Sequence, residues 1–310
     1  MPLGEPYLQP IFILGIMPRC GTNFLSNLLL LHPDCVAPAT VWEDYSNAHA
    51  DLLESYSDHV SSHWNPKWGV TEQTRMDFDA ALGSGISTFL AKGAEEKRVV
   101  AKTPEVKNLD LFFRFFPHAR LIILIRDGRA IVESGMRSFG WNREAALHWL
   151  SGAAGSILKF THQNPHSEYN YRIISYEQLW QEPENTLREL LDFLDLDADD
   201  YDFTNASQLP LRGSSDLLAE DSTALHWDPV ERDAKFDPLS RYEHWNTFMH
   251  YRYQQVAGKH MEALGYENKD RAAPSFLHWF ANQLLDLAWQ LKSALRPLYR
   301  RLQRQKEKTS

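Results

Sequence analysis

The 310-residue chain reads as a three-layer α/β fold, a mostly parallel central sheet flanked by helices. Two apolar runs carry that reading, Ile11 to Ile16 and Arg120-Leu-Ile-Ile-Leu-Ile125, each of strand length and each followed by a turn and a helical pattern. Further strands, at Arg98 to Thr103 and Tyr171 to Ser175, alternate with helical patterns of about 10–15 residues, the rhythm of parallel sheets. Ligands on such sheets sit at the carboxyl ends of the strands, where Arg19, Lys102 and Arg126 all fall.

The first strand leads into a turn rich in Gly and Pro. Leu25, Leu28, Leu29 and Leu31 follow at helical spacing, with Thr22 placed to cap the helix. Strand, tight loop and helix N-terminus gather backbone N–H groups and the positive end of a helix dipole around a phosphate. The phosphate-loop template, with its Gly, second Gly, Lys and Ser/Thr, fits in part. Gly15 and Thr22 keep their places, but Cys20 stands for the second Gly and Gly21 for the Lys, and the cation has moved back to Arg19. The loop of this P-loop-like fold therefore suits a single phosphate or sulfate group rather than the usual Mg-triphosphate arrangement.

After the first helix, Pro33 in His32-Pro-Asp34 ends one element before a second strand. Residues 42–97 hold Trp42, Tyr45, Tyr56, His59, His63, Trp64 and Trp68 among acidic and small residues. They read as a helical insertion on the acceptor side, its aromatics either lining a pocket or anchoring the insertion. His59 and His63 lie at i, i+4, but no third ligand is evident, so no metal is expected. Helical spacing runs through Val106, Leu109, Phe112, Phe113 and Phe116. Residues 142–163 and Pro183 to Leu194 read as helices, the second opening with Pro. Residues 197–240 are polar and turn-rich and read as a lid containing Arg212-Gly-Ser-Ser215. A helix from about Leu239 to Leu264 then leads to Gly265-Tyr266.

Composition, 43% hydrophobic and 12% aromatic, is that of a globular chain. The only two cysteines, Cys20 and Cys35, give neither a disulfide framework nor zinc spacing, so a reducing, cytoplasmic setting is expected. Met1-Pro-Leu-Gly-Glu-Pro does not open like a secretory signal, and no apolar run approaches the roughly 20 residues that span a bilayer. The net charge of −9 is unevenly spread: residues 271–310 carry +6, leaving −15 for residues 1–270. An acidic body argues against nucleic acid or a highly sulfated polymer as partner.

Two motifs together resemble a known family. Pro18-Arg19-Cys20-Gly21-Thr22-Asn23-Phe24 is similar to the P-R-S-G-T-T-F loop that holds the 5′ end of PAPS (3′-phosphoadenosine 5′-phosphosulfate) in sulfotransferases, with Cys20 in place of Ser and Asn23 in place of the second Thr. Arg126-Asp-Gly-Arg-Ala-Ile-Val-Glu-Ser134 resembles the same family's Arg at a strand end with a Ser eight residues later, which bind the 3′-phosphate. Lys102-Thr103-Pro104, Ser175-Tyr176-Glu177, Arg212-Gly-Ser-Ser215 and Leu264-Gly265-Tyr266 resemble further segments of bacterial-type members, in the same order. The resemblance implies PAPS as donor, PAP as product and no metal. It places Arg19, Cys20, Gly21, Thr22, Asn23 and Phe24 at the 5′ end, and Arg126, Ser134, Arg212, Gly213 and Ser214 around the 3′-phosphate. Arg19 and Lys102 would stabilise the departing charge. Glu43 would take the acceptor proton, with Asp44 or a histidine of residues 49–63 as alternatives. The acceptor expected is a hydroxyl on a small molecule, a lipid or a glycan. Two other functions stay open, a non-catalytic PAP-binding relative and a P-loop kinase or nucleotide hydrolase.

The expected organisation is one domain over residues 1–270 followed by a tail over 271–310. In the tail, Leu277, Phe280, Leu284, Ala288, Leu291, Leu295, Leu298 and Leu302 recur at steps of three or four over residues 274–303. Arg296, Arg300, Arg301, Arg304, Lys306 and Lys308 crowd its end. Such a helix packs on the domain, pairs with a second copy, or lies in the interface of the inner membrane face as a peripheral anchor.

Overall fold

The structure is a computed structural model, and it describes residues 10–165, 170–209, 237–266 and 275–307. Its centre is a five-stranded sheet in the order β2-β3-β1-β4-β5, with β1 at Ile11–Gly15, β2 at Cys35–Val36, β3 at Arg98–Thr103, β4 at Arg120–Ile125 and β5 at Tyr171–Ser175. Every pairing is parallel, and the α/β architecture with flanking helices is the one expected. β1 lies between β3 and β4, with Ile13 opposite both Lys102 and Ile122. All five of its residues are buried, which is why that run carries no polar side chain. Phe12 packs edge-on against Phe112 at 5.3 Å and tilted against Phe116 at 4.7 Å, closing the core beneath the sheet.

Helix α1 (Thr22–Leu29) starts at Thr22 itself, one residue earlier than a Thr22 cap requires. The capping position is Gly21, left-handed at φ 108° and without a side-chain cap, so the first-turn N–H groups stay directed at the loop. The insertion forms α2 (Ala50–Ser61) and α3 (Glu72–Leu90). Arg114, on the short α4 (Phe112–Phe115), ties it down through Glu54 at 2.7 Å, Asp58 at 2.8 Å and Asp79 at 2.7 Å. Trp42, Tyr56 and Trp68 are more than half exposed, so they do not anchor the insertion to a core. The helical spacing of residues 106–116 yields only a 3-10 turn and α4, because Asn108 turns left-handed and the buried Phe112, Phe115 and Phe116 pack into the core instead.

Helices α5 (Gly128–Phe139) and α6 (Arg143–Gln163) follow β4. β5 leads into α7 (Tyr176–Gln181) and α8 (Pro183–Phe193), the latter with Pro at its start. Of the region read as a lid, Tyr201 and Ala206 are buried against the body; Tyr201 donates to Leu28 O at 2.8 Å and precedes α9 (Phe203–Gln208). Arg212, Gly213 and Ser214 lie outside the described residues. The next helix begins later than Leu239. Residues 240–245 make turns that bury Trp245, and α10 (Thr247–Tyr253) starts where the Asn246 side chain caps Met249 N. A π segment at Gln254–Gly258 joins it to α11 (Lys259–Ala263). Helix α12 (Phe276–Glu307) runs 32 residues, and among the described residues no helix is long and apolar enough to cross a membrane.

Candidate active site

The loop from Ile16 to Gly21 leaves the carboxyl end of β1 at the middle of the sheet. Gly15 gives it room: a Cβ there would stand 2.5 Å from Cys20 Sγ and 2.7 Å from Thr22 Cγ2. Cys20 is wholly buried beneath the loop, and burial pushes its thiol up to about 11, so this residue serves the site through its backbone rather than its side chain. Arg19 is held left-handed at φ 78°. Gly21 lies flat under the Tyr176 ring, where a Cβ would fall 2.4 Å from ring carbon Cδ2.

Two clusters flank the loop. In the first, Arg19 Nε donates to Ser134 Oγ at 3.0 Å and Arg241 Nη1 donates to the same oxygen at 3.1 Å. Arg126, 4% exposed, donates to Arg19 O at 2.9 Å and Pro238 O at 2.6 Å, with its guanidinium 4.3 Å above the Tyr176 ring. Its Nε is buried without a hydrogen-bond partner among the described residues. Arg19 and Arg241 thus meet on one hydroxyl with Arg126 bonded alongside, an arrangement suited to a dianion. Ser134 reaches it from the second turn of α5, which the eight-residue spacing from Arg126 anticipates. Arg19, which the resemblance puts with the departing charge, has its side chain bonded to Ser134 in this arginine cluster.

In the second cluster, Lys102 at the end of β3 donates to Asn23 Oδ1 at 2.5 Å, faces Glu43 at 3.8 Å and lies 4.4 Å over the Trp42 ring. Burial brings its ammonium down to about 8, with Glu43 and Asp44 pulling the other way. Glu43, partly exposed, accepts from Tyr45 OH at 2.8 Å. Asp44 is turned inward: its carboxylate accepts from Ser46 N at 2.7 Å and Thr103 Oγ1 at 3.2 Å, and burial raises its pKa. Those bonds brace the strand end, leaving Glu43 as the carboxylate beside the cation. His59 and His63 stay in and just after α2, where His63 Nδ1 bonds His59 O at 2.8 Å. Among the described residues no three His, Cys, Asp or Glu gather as metal ligands.

Sequence reasoning missed Arg241 and the roles of Tyr176 and Trp180. Phe24 meets Tyr176 at 5.9 Å and Trp180 at 6.1 Å, and those two rings stack at 13°. Glu177 accepts from Asp127 N at 2.9 Å and Tyr266 OH at 2.7 Å, so the Tyr176-Glu177 and Gly265-Tyr266 segments meet at the strand end that carries Arg126. No local pattern announces Arg241, which arrives from 107 residues away.

A parallel sheet with a phosphate-type loop at its middle strand, an arginine cluster on one side and a Lys–Glu pair on the other defines an anion-handling group-transfer class. The Sulfotransferase family profile matches residues 10–200, and the chain belongs to that family. Among curated relatives, a putative protein-tyrosine sulfotransferase of Caenorhabditis briggsae is 27% identical over 198 residues, 61% of this chain and 66% of that protein. Protein-tyrosine sulfotransferase A of Caenorhabditis elegans is 27% identical over 210 residues, 62% of this chain and 51% of that protein. The chain thus spans between half and two thirds of these relatives' length. Among solved structures, the sulfotransferase domain from the curacin biosynthetic pathway superposes with a TM-score of 0.52 at 17% identity, covering 84% of this chain and 98% of that one. The sulfotransferase domain of the Synechococcus PCC 7002 olefin synthase gives 0.51 at 19%, covering 84% and 95%. At these identities the likeness is one of fold.

Proposed function

We propose that this chain transfers a sulfuryl group from PAPS to an acceptor hydroxyl and releases PAP. The observation that carries the reading is the convergence of Arg19 and Arg241 on Ser134, with Arg126 alongside, next to a loop whose other flank holds Lys102 and Glu43. The buried Arg126 Nε, unsatisfied among the described residues, fits a ligand that brings its own acceptor oxygens, as a 3′-phosphate does. The Phe24, Tyr176 and Trp180 rings offer aromatic faces for a purine. When bound, PAPS supplies an electrophilic sulfur whose bond to the 5′-phosphate oxygen breaks as the acceptor oxygen bonds. The N–H groups at the start of α1, together with Lys102, hold the negative charge left on that phosphate, with no metal required. Glu43 takes the acceptor proton, and the Lys102 ammonium beside it aims its carboxylate.

On the acceptor side, Trp42 and Tyr45 frame Glu43, a mouth for a hydroxyl carried on an apolar or aromatic body. Sugar, lipid and small-metabolite alcohols fit it. The relatives' names add the phenol of a protein tyrosine to the acceptors to be tried. Cys20 and Cys35 are free and buried, which suits the cytoplasmic setting proposed for this activity.

The test is incubation with radiolabelled PAPS and, in turn, lipid extract, metabolite extract and tyrosine peptides. Labelled product is expected, and Glu43→Gln should lower turnover by about 10²–10⁴ while leaving PAP affinity unchanged. Binding of PAP with no transfer to any acceptor would show a non-catalytic relative. Magnesium-dependent ATP turnover would show a phosphotransferase.

A further inference from the structure

Helix α12 is mounted inside out. Two of its polar side chains face the body: Asn282 is buried and accepts from Arg252 Nη1 at 2.5 Å, and Asp286 accepts from the same nitrogen at 2.7 Å. Arg252 is itself buried and paired with Glu144 of α6. Trp289 stacks flat on His148, ring centres 4.1 Å apart. The large apolar residues Phe276, Leu277, Phe280, Leu284, Leu287, Leu291 and Leu295 are instead between 50% and 74% exposed. At 100° per residue these seven fall within an arc of about 100°, a continuous stripe along five turns. Among the described residues the domain leaves this face uncovered.

We infer that the stripe is a docking face for an anionic lipid surface, with α12 lying along the membrane and the catalytic body held against it. Charge complementarity selects this occupant. The helix sequence ends in Arg296, Arg300, Arg301, Arg304 and Lys306, followed by Lys308, so residues 271–310 carry +6 against −15 for residues 1–270. A copy of the same chain would bring a like-charged helix end to the contact, whereas phosphatidylserine headgroups carry charge opposite to the basic end. Trp279, 48% exposed beside the stripe, has the amphipathic ring favoured at the headgroup level. The polar residues facing the body exclude a spanning helix and leave one that rests at the interface.

The experiment uses the full chain with sedimentable vesicles of phosphatidylcholine, with and without phosphatidylserine. Binding is expected with phosphatidylserine at low salt, weakening as salt rises. The double change Leu284→Gln and Leu291→Gln, on exposed positions that the fold does not need, should lower partitioning by about tenfold or more. Circular dichroism and PAP affinity should stay as in the parent. Absence of sedimentation, or equal sedimentation of the double variant, overturns the inference. So does a dimer in light scattering that the double variant dissolves while vesicles bind neither form; a second copy would then be the occupant.

Discussion

Arg126 touches both the loop and the segment after residue 236, so its removal tests the anion assignment directly. Arg126→Ala is expected to weaken PAP binding about 10- to 150-fold, the worth of a charge-assisted contact of about 1.5–3 kcal/mol. AMP, which lacks the 3′-phosphate, should bind both forms with little difference. Calorimetry showing equal losses for the two nucleotides would remove the 3′-phosphate from this cluster. Lys102 supplies a pH signature. Its ammonium is charged below about 8 and neutral above, because desolvation outweighs the pull of Glu43. The rate constant kcat/KM should therefore fall as pH rises through about 8, and Lys102→Arg, charged throughout, should flatten that limb. These residues are legible in the sequence because their chemistry is local: a cation at a strand end, and a serine two helical turns beyond an arginine. Arg241 is not, since its partner lies in another part of the chain and nothing in its own surroundings marks it.

At the scale of elements, the loop between β1 and α1 rests on Gly21. The position combines a left-handed backbone with contact against the Tyr176 ring, so Gly21→Ala meets strain and steric overlap at once. A loss of about 1–3 kcal/mol in thermal unfolding is expected, with PAP binding weakened further because the ring must move. Unchanged melting and affinity would show that the ring yields freely. β1 and β4 are readable because strands buried on both faces need unbroken apolar runs. The stretch 106–116 misleads, since the same Phe spacing that suits a helix face also suits side chains packed beneath a sheet. Helix α10 starts later than its spacing suggests because aromatic residues in a buried turn, Tyr242 and Trp245, carry the spacing of a helix. The loop's partial match to a phosphate template locates the site, while the direction of the Arg19 side chain depends on a φ that no residue type announces.

For the whole molecule, Arg252 is the rivet between body and tail. Arg252→Met leaves Glu144 and Asp286 without their cation and is expected to lower stability by about 1.5–3 kcal/mol in denaturant unfolding. Hydrogen exchange in α12 should quicken more than in β1 or β4; uniform quickening would mean that the helix and the sheet open together. The anion cluster reaches across the molecule as well. Ser134 and Arg241 are separated by 107 positions, and Arg126 and Pro238 by 112, so whatever seats there fastens two distant stretches of one chain. A nucleotide in that seat works as a removable clasp. At a hundredfold excess over its dissociation constant it adds about 2.7 kcal/mol against unfolding. A melting curve of this protein is then a gauge of how much donor or spent nucleotide surrounds it, and a cell short of activated sulfate would hold its copies less firmly shut.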